Sequence, residues 1–262
     1  MFFHNINPVL FEIGPLQIRY YGLFYALGFV IAYLTLPYLA RIKGLKITKD
    51  DVADFLIYMI IGVVLGARLI YVIFYNLPYY IQNPSEIIVL WHGGLSFHGG
   101  LFGAFIAGYL FCKKKKIDFY DMADIAVVPV ALALALGRIG NFINAELYGR
   151  ITGVPWCVDY STNKFVENLP GGCRHPSQIY ESIKNLVIFA ALWFIKDKKL
   201  PKGFMFWSFV TLYGLLRTIM EFFREPDGQI GFIFNYLTMG QLLSIPLFLA
   251  GCYMLFKINK NK

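Results

Sequence analysis

The sequence predicts an all-α polytopic membrane protein, and three observations carry that prediction. The first is composition. The chain has 262 residues, of which 58% are hydrophobic, 18% aromatic and only 15% charged, with a mean hydropathy of +0.56. Ordinary globular chains are about 45–50% apolar and about 25% charged, so a soluble fold would lack the polar residues to cover its surface. The second is length: apolar stretches of about 20 residues recur along the whole chain, the length that crosses a bilayer core. The third is the sorting of basic residues, taken up below. Disorder, a disulfide-stapled miniprotein and a nucleic-acid module are excluded as readings of the whole chain.

The apolar segments fall at 19–39, 52–75, 95–112, 119–138, 179–195, 203–222 and 238–256, which makes about seven transmembrane helices in a single transmembrane domain, 1–262. The first is expected to be retained, because it has no basic leader and is too long for a signal-peptide core. The net charge of +8 is no nucleic-acid footprint. Fifteen of the 24 Lys and Arg lie in four blocks: Arg41 to Lys49, Lys113 to Lys116, Lys196 to Lys202, and Lys257 to Lys262. The alternate connections carry only Arg150, Lys164, Arg174 and Arg224. Positive charge marks the cytoplasmic side, so the N-terminus is expected outside and the C-terminus inside. The segment 139–178, about forty residues long, is expected to form a small outer head insertion containing a β-hairpin, since Val154–Tyr160 is followed by turn-forming residues.

The cysteines divide by side. Cys112 and Cys252 lie near cytoplasmic ends, where thiols stay reduced; Cys157 and Cys173 share the outer loop, where oxidation is possible. A disulfide there is expected, worth roughly 3 kcal/mol in the chain-entropy model; the alternative is two unpaired small residues.

Ionisable residues inside spans are functional suspects. Arg68 lies roughly 24 Å along a helix that starts inside, at a rise of about 1.5 Å per residue. Arg138 ends the fourth helix, Arg217 and Glu221 occupy the outer third of the sixth, and Tyr21 and His98 begin helices on the outer side. All six are thereby expected at one depth, the outer leaflet. Tyr213, Arg217 and Glu221 follow an i, i+4, i+8 spacing and share a helix face; a purely structural Arg217–Glu221 pair remains the alternative. The stretch Gly137-Arg-Ile-Gly-Asn-Phe-Ile-Asn-Ala-Glu-Leu-Tyr-Gly-Arg150 brings together Arg138, Asn141, Glu146 and Gly149. Arg supplies a planar fork for phosphate oxygens, Asn donates and accepts, and Gly lets backbone approach a ligand. His98, flanked by glycines in His92-Gly-Gly-Leu-Ser-Phe-His-Gly-Gly100, is of the residue type that accepts protons near neutral pH. Gly62, Gly66, Gly99 and Gly103 are spaced for close helix packing. No cluster has metal-ligand spacing, and no phosphate-loop or dinucleotide motif occurs.

That fourteen-residue stretch, together with Ser96-Phe-His-Gly-Gly-Leu101, Arg174-His-Pro-Ser-Gln-Ile-Tyr-Glu181, Ile18-Arg-Tyr-Tyr-Gly22 and Gly66-Ala-Arg-Leu69, resembles the bacterial prolipoprotein diacylglyceryl transferases over essentially the whole chain. Cys157 and Cys173 stand outside the pattern of that family. The resemblance implies a multi-pass enzyme of the bacterial cytoplasmic (inner) membrane. Such an enzyme moves the sn-1,2-diacylglyceryl group of phosphatidylglycerol to the lipobox cysteine of a preprolipoprotein and releases glycerol 1-phosphate. It implies no cofactor, since the lipid donor is already activated, and no partners beyond these substrates and membrane lipids. By the same resemblance, Arg138 and Arg217 contact the phosphate and His98 accepts the proton. Tyr21, Arg68, Asn141, Glu146 and Gly149 belong to the donor site, where Tyr213 and Glu221 orient Arg217. The competing reading is a non-catalytic carrier or channel for an anionic solute, which intramembrane arginines would also suit.

The charge sorting makes a direct prediction. A reporter fused after Lys262 should report from the cytoplasm, and a tag within 161–168 should be labelled from outside in intact spheroplasts. Protection of that tag would overturn the orientation.

Overall fold

A computed structural model of the chain describes residues 1–14, 16–226, 232–233 and 237–260. Seven long helices occupy the seven apolar segments: α1 (Tyr20–Ile42), α2 (Lys49–Phe74), α4 (Phe97–Lys115), α5 (Phe119–Ile143), α6 (Ser177–Ile195), α7 (Phe204–Met220) and α8 (Met239–Lys260). A short α3 (Leu77–Gln82) follows α2. Five of these helices, α1, α2, α5, α6 and α8, are both long and apolar enough to cross a membrane. At 17 residues α7 is shorter, and α4 ends in Lys113, Lys114 and Lys115, which lower its apolar character. The protein is thus mostly helical, with a few short strands.

The chain packs as two compact units. One comprises Leu36–Met122. Its centre is the contact of α2 with α4, and glycines set the distance: a β-carbon built on Gly66 would stand 2.8 Å from the Gly103 α-carbon, and one on Gly103 would stand 3.0 Å from the Gly66 α-carbon. The expected small-residue face therefore forms, because only hydrogen side chains let two backbones approach so closely. Thr48 starts α2 with a reciprocal capping box to Asp51, and Ser96 caps α4 by accepting from the Gly99 amide at 3.3 Å, satisfying donors that a helix start leaves over.

The other unit comprises Met1–Thr35 and Ala123–Lys262. Here α7 begins at Gly203, which has no side chain to cap with. Buried Asp124 of α5 does so instead, accepting from the Gly203 amide at 3.0 Å and the Phe206 amide at 2.8 Å. That carboxylate ties the start of α7 to α5. Along α7 and α8, Gly214 lies against the backbone of Ser244 and Phe248, and Gly251 against Thr211, so the two helices run in close contact.

The segment between α5 and α6 is not the self-contained hairpin expected from sequence. Its strand β4 (Val158–Asp159) pairs in parallel with β1 (Phe2–Phe3) at the other end of the chain, and Arg174 bridges to Ile151 and Val158. Cys157 and Cys173 are joined by a disulfide across this segment. An antiparallel hairpin lies earlier, between β2 (Val9–Ile13) and β3 (Leu16–Arg19). Non-local pairing of β1 with β4 is invisible to turn chemistry, which reports only on neighbours in sequence.

His4 fastens β1 in place. Its ring is fully buried between Phe142 and Tyr160. Nε2 donates to the Phe142 carbonyl at 2.8 Å, and Nδ1 accepts from the Asn163 amide at 2.8 Å. That pairing uses the neutral imidazole. Burial pushes the His4 pKa below its usual value, against the opposing effect of the Phe142 hydrogen bond. Below about pH 6.5 the unfolded chain then takes up a proton that the folded one refuses, so this contribution is complete above about pH 6.5 and declines as pH falls. Limited proteolysis at 161–168 should accordingly be faster at pH 5 than at pH 7.5 once corrected for protease activity, and His4→Gln should lose that difference. Equal nicking rates at both pH values would remove His4 from the account.

Candidate functional site

The fifth long helix, α6, begins directly after a proline. Pro176 precedes α6, whose first turns turn polar side chains inward: Ser177 donates to the Leu147 carbonyl at 2.8 Å, Gln178 to the Glu146 carbonyl at 2.7 Å, and Ser182 to the Ala135 carbonyl at 3.0 Å. These three bonds clamp the end of α5 and the turn after it onto α6. The turn is strained. Ala145 and Leu147 both have positive φ, 54° and 56°, a region that costs non-glycine residues energy, and Glu146 sits between them. Its carboxylate accepts from Asn141 at 2.7 Å and from Asn144 at 3.2 Å.

One turn further along α6 lies Glu181, which is 3% exposed. Three cations converge on it. Arg217 pairs with Oε1, Lys184 meets Oε2 at 2.8 Å, and Nε of Arg138 stands 3.7 Å from Oε2. Arg217 also pairs with Glu221, one turn along α7. Glu221 in turn accepts from the Thr238 hydroxyl at 2.8 Å, and its carboxylate lies against Gly240 at the start of α8. Arg138 donates to Asn141 at 3.2 Å, which links the pair network to Glu146. Buried ions persist when they are paired and hydrogen-bonded, and removing one partner of such a set costs about 3–5 kcal/mol. Arg217, Lys184 and Arg138 meet Glu181 and Glu221 directly while Glu146 is joined only through Asn141, so the immediate surroundings of Glu181 carry one positive charge in excess and suit an anion.

The sequence-derived residues divide clearly. Arg138, Asn141, Glu146, Arg217 and Glu221 are brought into one connected network. Tyr21 joins by packing: its ring would lie 2.8 Å from a β-carbon on Gly140, between Arg138 and Asn141, and its hydroxyl donates to Tyr25 at 3.1 Å. Gly149 is needed for close approach, but of this chain's own backbone. Its amide donates to the His175 carbonyl at 3.0 Å, and a β-carbon there would meet the Phe223 carbonyl at 2.6 Å. Tyr213, expected to orient Arg217 from one turn earlier on the same helix, also lies under Lys184, its ring 4.1 Å from Nζ. Arg217 was expected to open its fork to a phosphate. Its two terminal nitrogens each meet a carboxylate, whereas Arg138 is 21% exposed and no acceptor lies on its Nη2 among the described residues. A cleft of about 460 Å³, lined in part by Glu12, Arg19, Asn144 and Glu167, reaches Glu146 from the β2–β3 hairpin.

Arg68 and His98 belong to the other unit. His98 lies exposed in the first turn of α4 with its ring against Phe97. Arg68 requires a correction. It is 4% exposed, and its guanidinium donates to five backbone carbonyls: Ile87 at 2.9 Å, Gly93 at 2.5 Å, Gly94 at 2.9 Å, Glu86 at 2.6 Å and Val89 at 2.8 Å. A guanidinium has five N–H donors, so none is left for a lipid phosphate. Arg68 organises the connection before α4.

Sequence reasoning missed Glu181 and Lys184. The signal was present, since both lie within the predicted span 179–195 and buried ionisable residues there are suspects. An i, i+3 acid–base pair reads as self-neutralising, and only the fold shows two arginines arriving from other helices.

The family profile for prolipoprotein diacylglyceryl transferase matches residues 8–257. A protein of Geobacter sulfurreducens named phosphatidylglycerol–prolipoprotein diacylglyceryl transferase is 46% identical over 100% of this chain and 99% of its own length. Proteins of the same name from Francisella tularensis subsp. tularensis and subsp. novicida are 44% and 43% identical, over 98% of this chain and 97% of their own.

The five-carbonyl role of Arg68 is testable without substrate. Arg68→Lys, with three donors in place of five, should lower stability by about 2–4 kcal/mol and raise amide hydrogen exchange across 86–94. Unchanged exchange in that stretch would show that other contacts hold it.

Proposed function

The chain belongs to the prolipoprotein diacylglyceryl transferase family, and from that premise we propose that it transfers the sn-1,2-diacylglyceryl group of phosphatidylglycerol to the cysteine thiol of a lipobox preprolipoprotein. The observation that carries this reading is full-length identity of 46% to a protein named for that activity. The enzyme works as a multi-pass protein of the bacterial inner membrane. All seven long helices cross the bilayer, with the N-terminus outside, the C-terminus inside, and 139–178 as part of an outer head.

The chemistry needs three services. A thiol must lose its proton, since the thiolate is the nucleophile. The sulfur must reach the glycerol carbon that bears the phosphodiester oxygen, forming a C–S bond as that C–O bond breaks. The electron pair then leaves on glycerol 1-phosphate, whose growing negative charge needs stabilisation. Oriented cations supply that without reorganising, and one such contact is worth about 2–4 kcal/mol in a water-poor site. Arg138 takes the phosphate directly, because its outer terminal nitrogen remains available. Arg217, fixed between Glu181 and Glu221, adds charge and holds Glu181 in place. Asn141 and Glu146 aim Arg138, Tyr21 packs beside it, and Gly149 and Tyr213 shape the surrounding wall. His98 accepts the thiol proton.

Purified protein incubated with labelled phosphatidylglycerol and a lipobox peptide, with no added cofactor, should give thioether-linked product. Solute flux without product would establish a carrier instead. In the same assay Arg138→Lys should lose nearly as much activity as Arg138→Ala, because Lys offers a point charge in place of a fork. His98→Gln should slow transfer by about 100-fold, with the loss shrinking as pH rises and the acceptor thiol ionises unaided. Near-normal activity of Arg138→Lys would remove that fork from the mechanism.

A further inference from the structure

Lys184 is the one buried cation of the network that the mechanism above does not use. Its side chain is 1% exposed, a costly place for an ammonium unless it is held. It is held on two sides, by Glu181 Oε2 at 2.8 Å and by the face of Tyr213 at 4.1 Å. The same Oε2 is the atom that Arg138 approaches, and Arg138 stops at 3.7 Å. Charge-assisted N–H···O contacts close to about 2.7–2.9 Å when nothing intervenes. Arg138 is therefore standing off a carboxylate oxygen that Lys184 already occupies, while Arg217 occupies the other oxygen.

We propose that Lys184 is a positioning residue for the lipid donor: by pairing with Glu181 Oε2 and setting a like charge beside that oxygen it keeps Arg138 from closing onto Glu181 and leaves that guanidinium to bind a phosphate monoester or diester. It also supplies the excess charge. With Lys184 the three cations outnumber Glu181 and Glu221 by one; without it the charges balance, and Arg138 gains an unfilled carboxylate oxygen as an intramolecular competitor for the phosphate. The effect falls on binding of the anion and leaves the reacting carbon and sulfur untouched. The proposal rests on the donor being an anionic phospholipid, as in the functional reading.

Three full-length proteins in detergent decide it: wild type, Lys184→Met, and Lys184→Met combined with Glu181→Gln. Two quantities are measured on each, the KM for phosphatidylglycerol with kcat for a lipobox peptide, and the Kd for glycerol 1-phosphate by calorimetry. Lys184→Met should raise both KM and Kd by about tenfold with kcat changed by less than about threefold, within the coupling expected between residues of one salt-bridge network when Lys184 acts on the phosphate only through Arg138. Adding Glu181→Gln removes the competing carboxylate, and KM and Kd should return at least threefold toward wild type. A residue that served only packing would not be rescued by a second polar change beside it. Unchanged KM and Kd in Lys184→Met, a loss confined to kcat, or a double variant no better than the single one would each overturn the proposal. If Lys184→Met fails to accumulate, the double variant must accumulate and bind glycerol 1-phosphate; failure of both overturns it equally. Calorimetry needs no turnover, so the expected Kd pattern without any transfer by wild type would support Lys184 and sink the donor reading alone.

Discussion

Glu181 is the point on which the site depends. A carboxylate 3% exposed inside an apolar helix bundle is unstable by itself, and it persists because Arg217, Lys184 and Arg138 arrive around it. The dependence runs both ways. Each of those cations is also costly to bury, and Glu181 is what lets α5, α6 and α7 bring positive charge together. Glu221 and Thr238 extend the same logic to the start of α8. An ion network of this kind does little for stability compared with an apolar replacement. Its value lies in holding guanidinium groups at defined positions before any ligand arrives.

The strained turn after α5 follows from that demand. Glu146 has to face Asn141 and Asn144 while its own carbonyl accepts from Gln178. The backbone reaches that geometry only by placing Ala145 and Leu147 at positive φ. Strain is tolerated where surrounding contacts over-determine the conformation, and the bonds from Ser177 and Gln178 do so here. Glycines in the same motif serve other ends. Gly140 admits the Tyr21 ring and Gly149 admits the backbone of its own chain.

The two arginines singled out inside helices of opposite units illustrate how alike side chains part in function. Arg68 spends five donors on backbone carbonyls and becomes a staple for the segment before α4. Arg138 spends one on Asn141, stands away from Glu181, and keeps part of its surface open. Charge type and helix position are the same kind of information for both. Only the count of acceptors within reach separates a structural arginine from one able to receive an anion.

Much of this protein was legible from sequence alone. Hydrophobic length located all seven long helices to within about five residues, because backbone polar groups in lipid leave few alternatives to a helix. Glycine spacing marked close-packing faces on α2 and α4, and the structure sets those faces against each other. Motif chemistry selected Arg138, Asn141, Glu146, Arg217 and Glu221, and residue resemblance pointed to the family. What tertiary structure alone decided were matters of partnership. Lys184 takes one oxygen of Glu181 and Arg217 the other, Tyr213 lies under Lys184, β4 pairs with β1 from the far end of the chain, and Arg68 is consumed by carbonyls. The reason is physical: burial makes a charged group's state depend on every acceptor within about 4 Å, and sequence spacing reports those neighbours only along one helix.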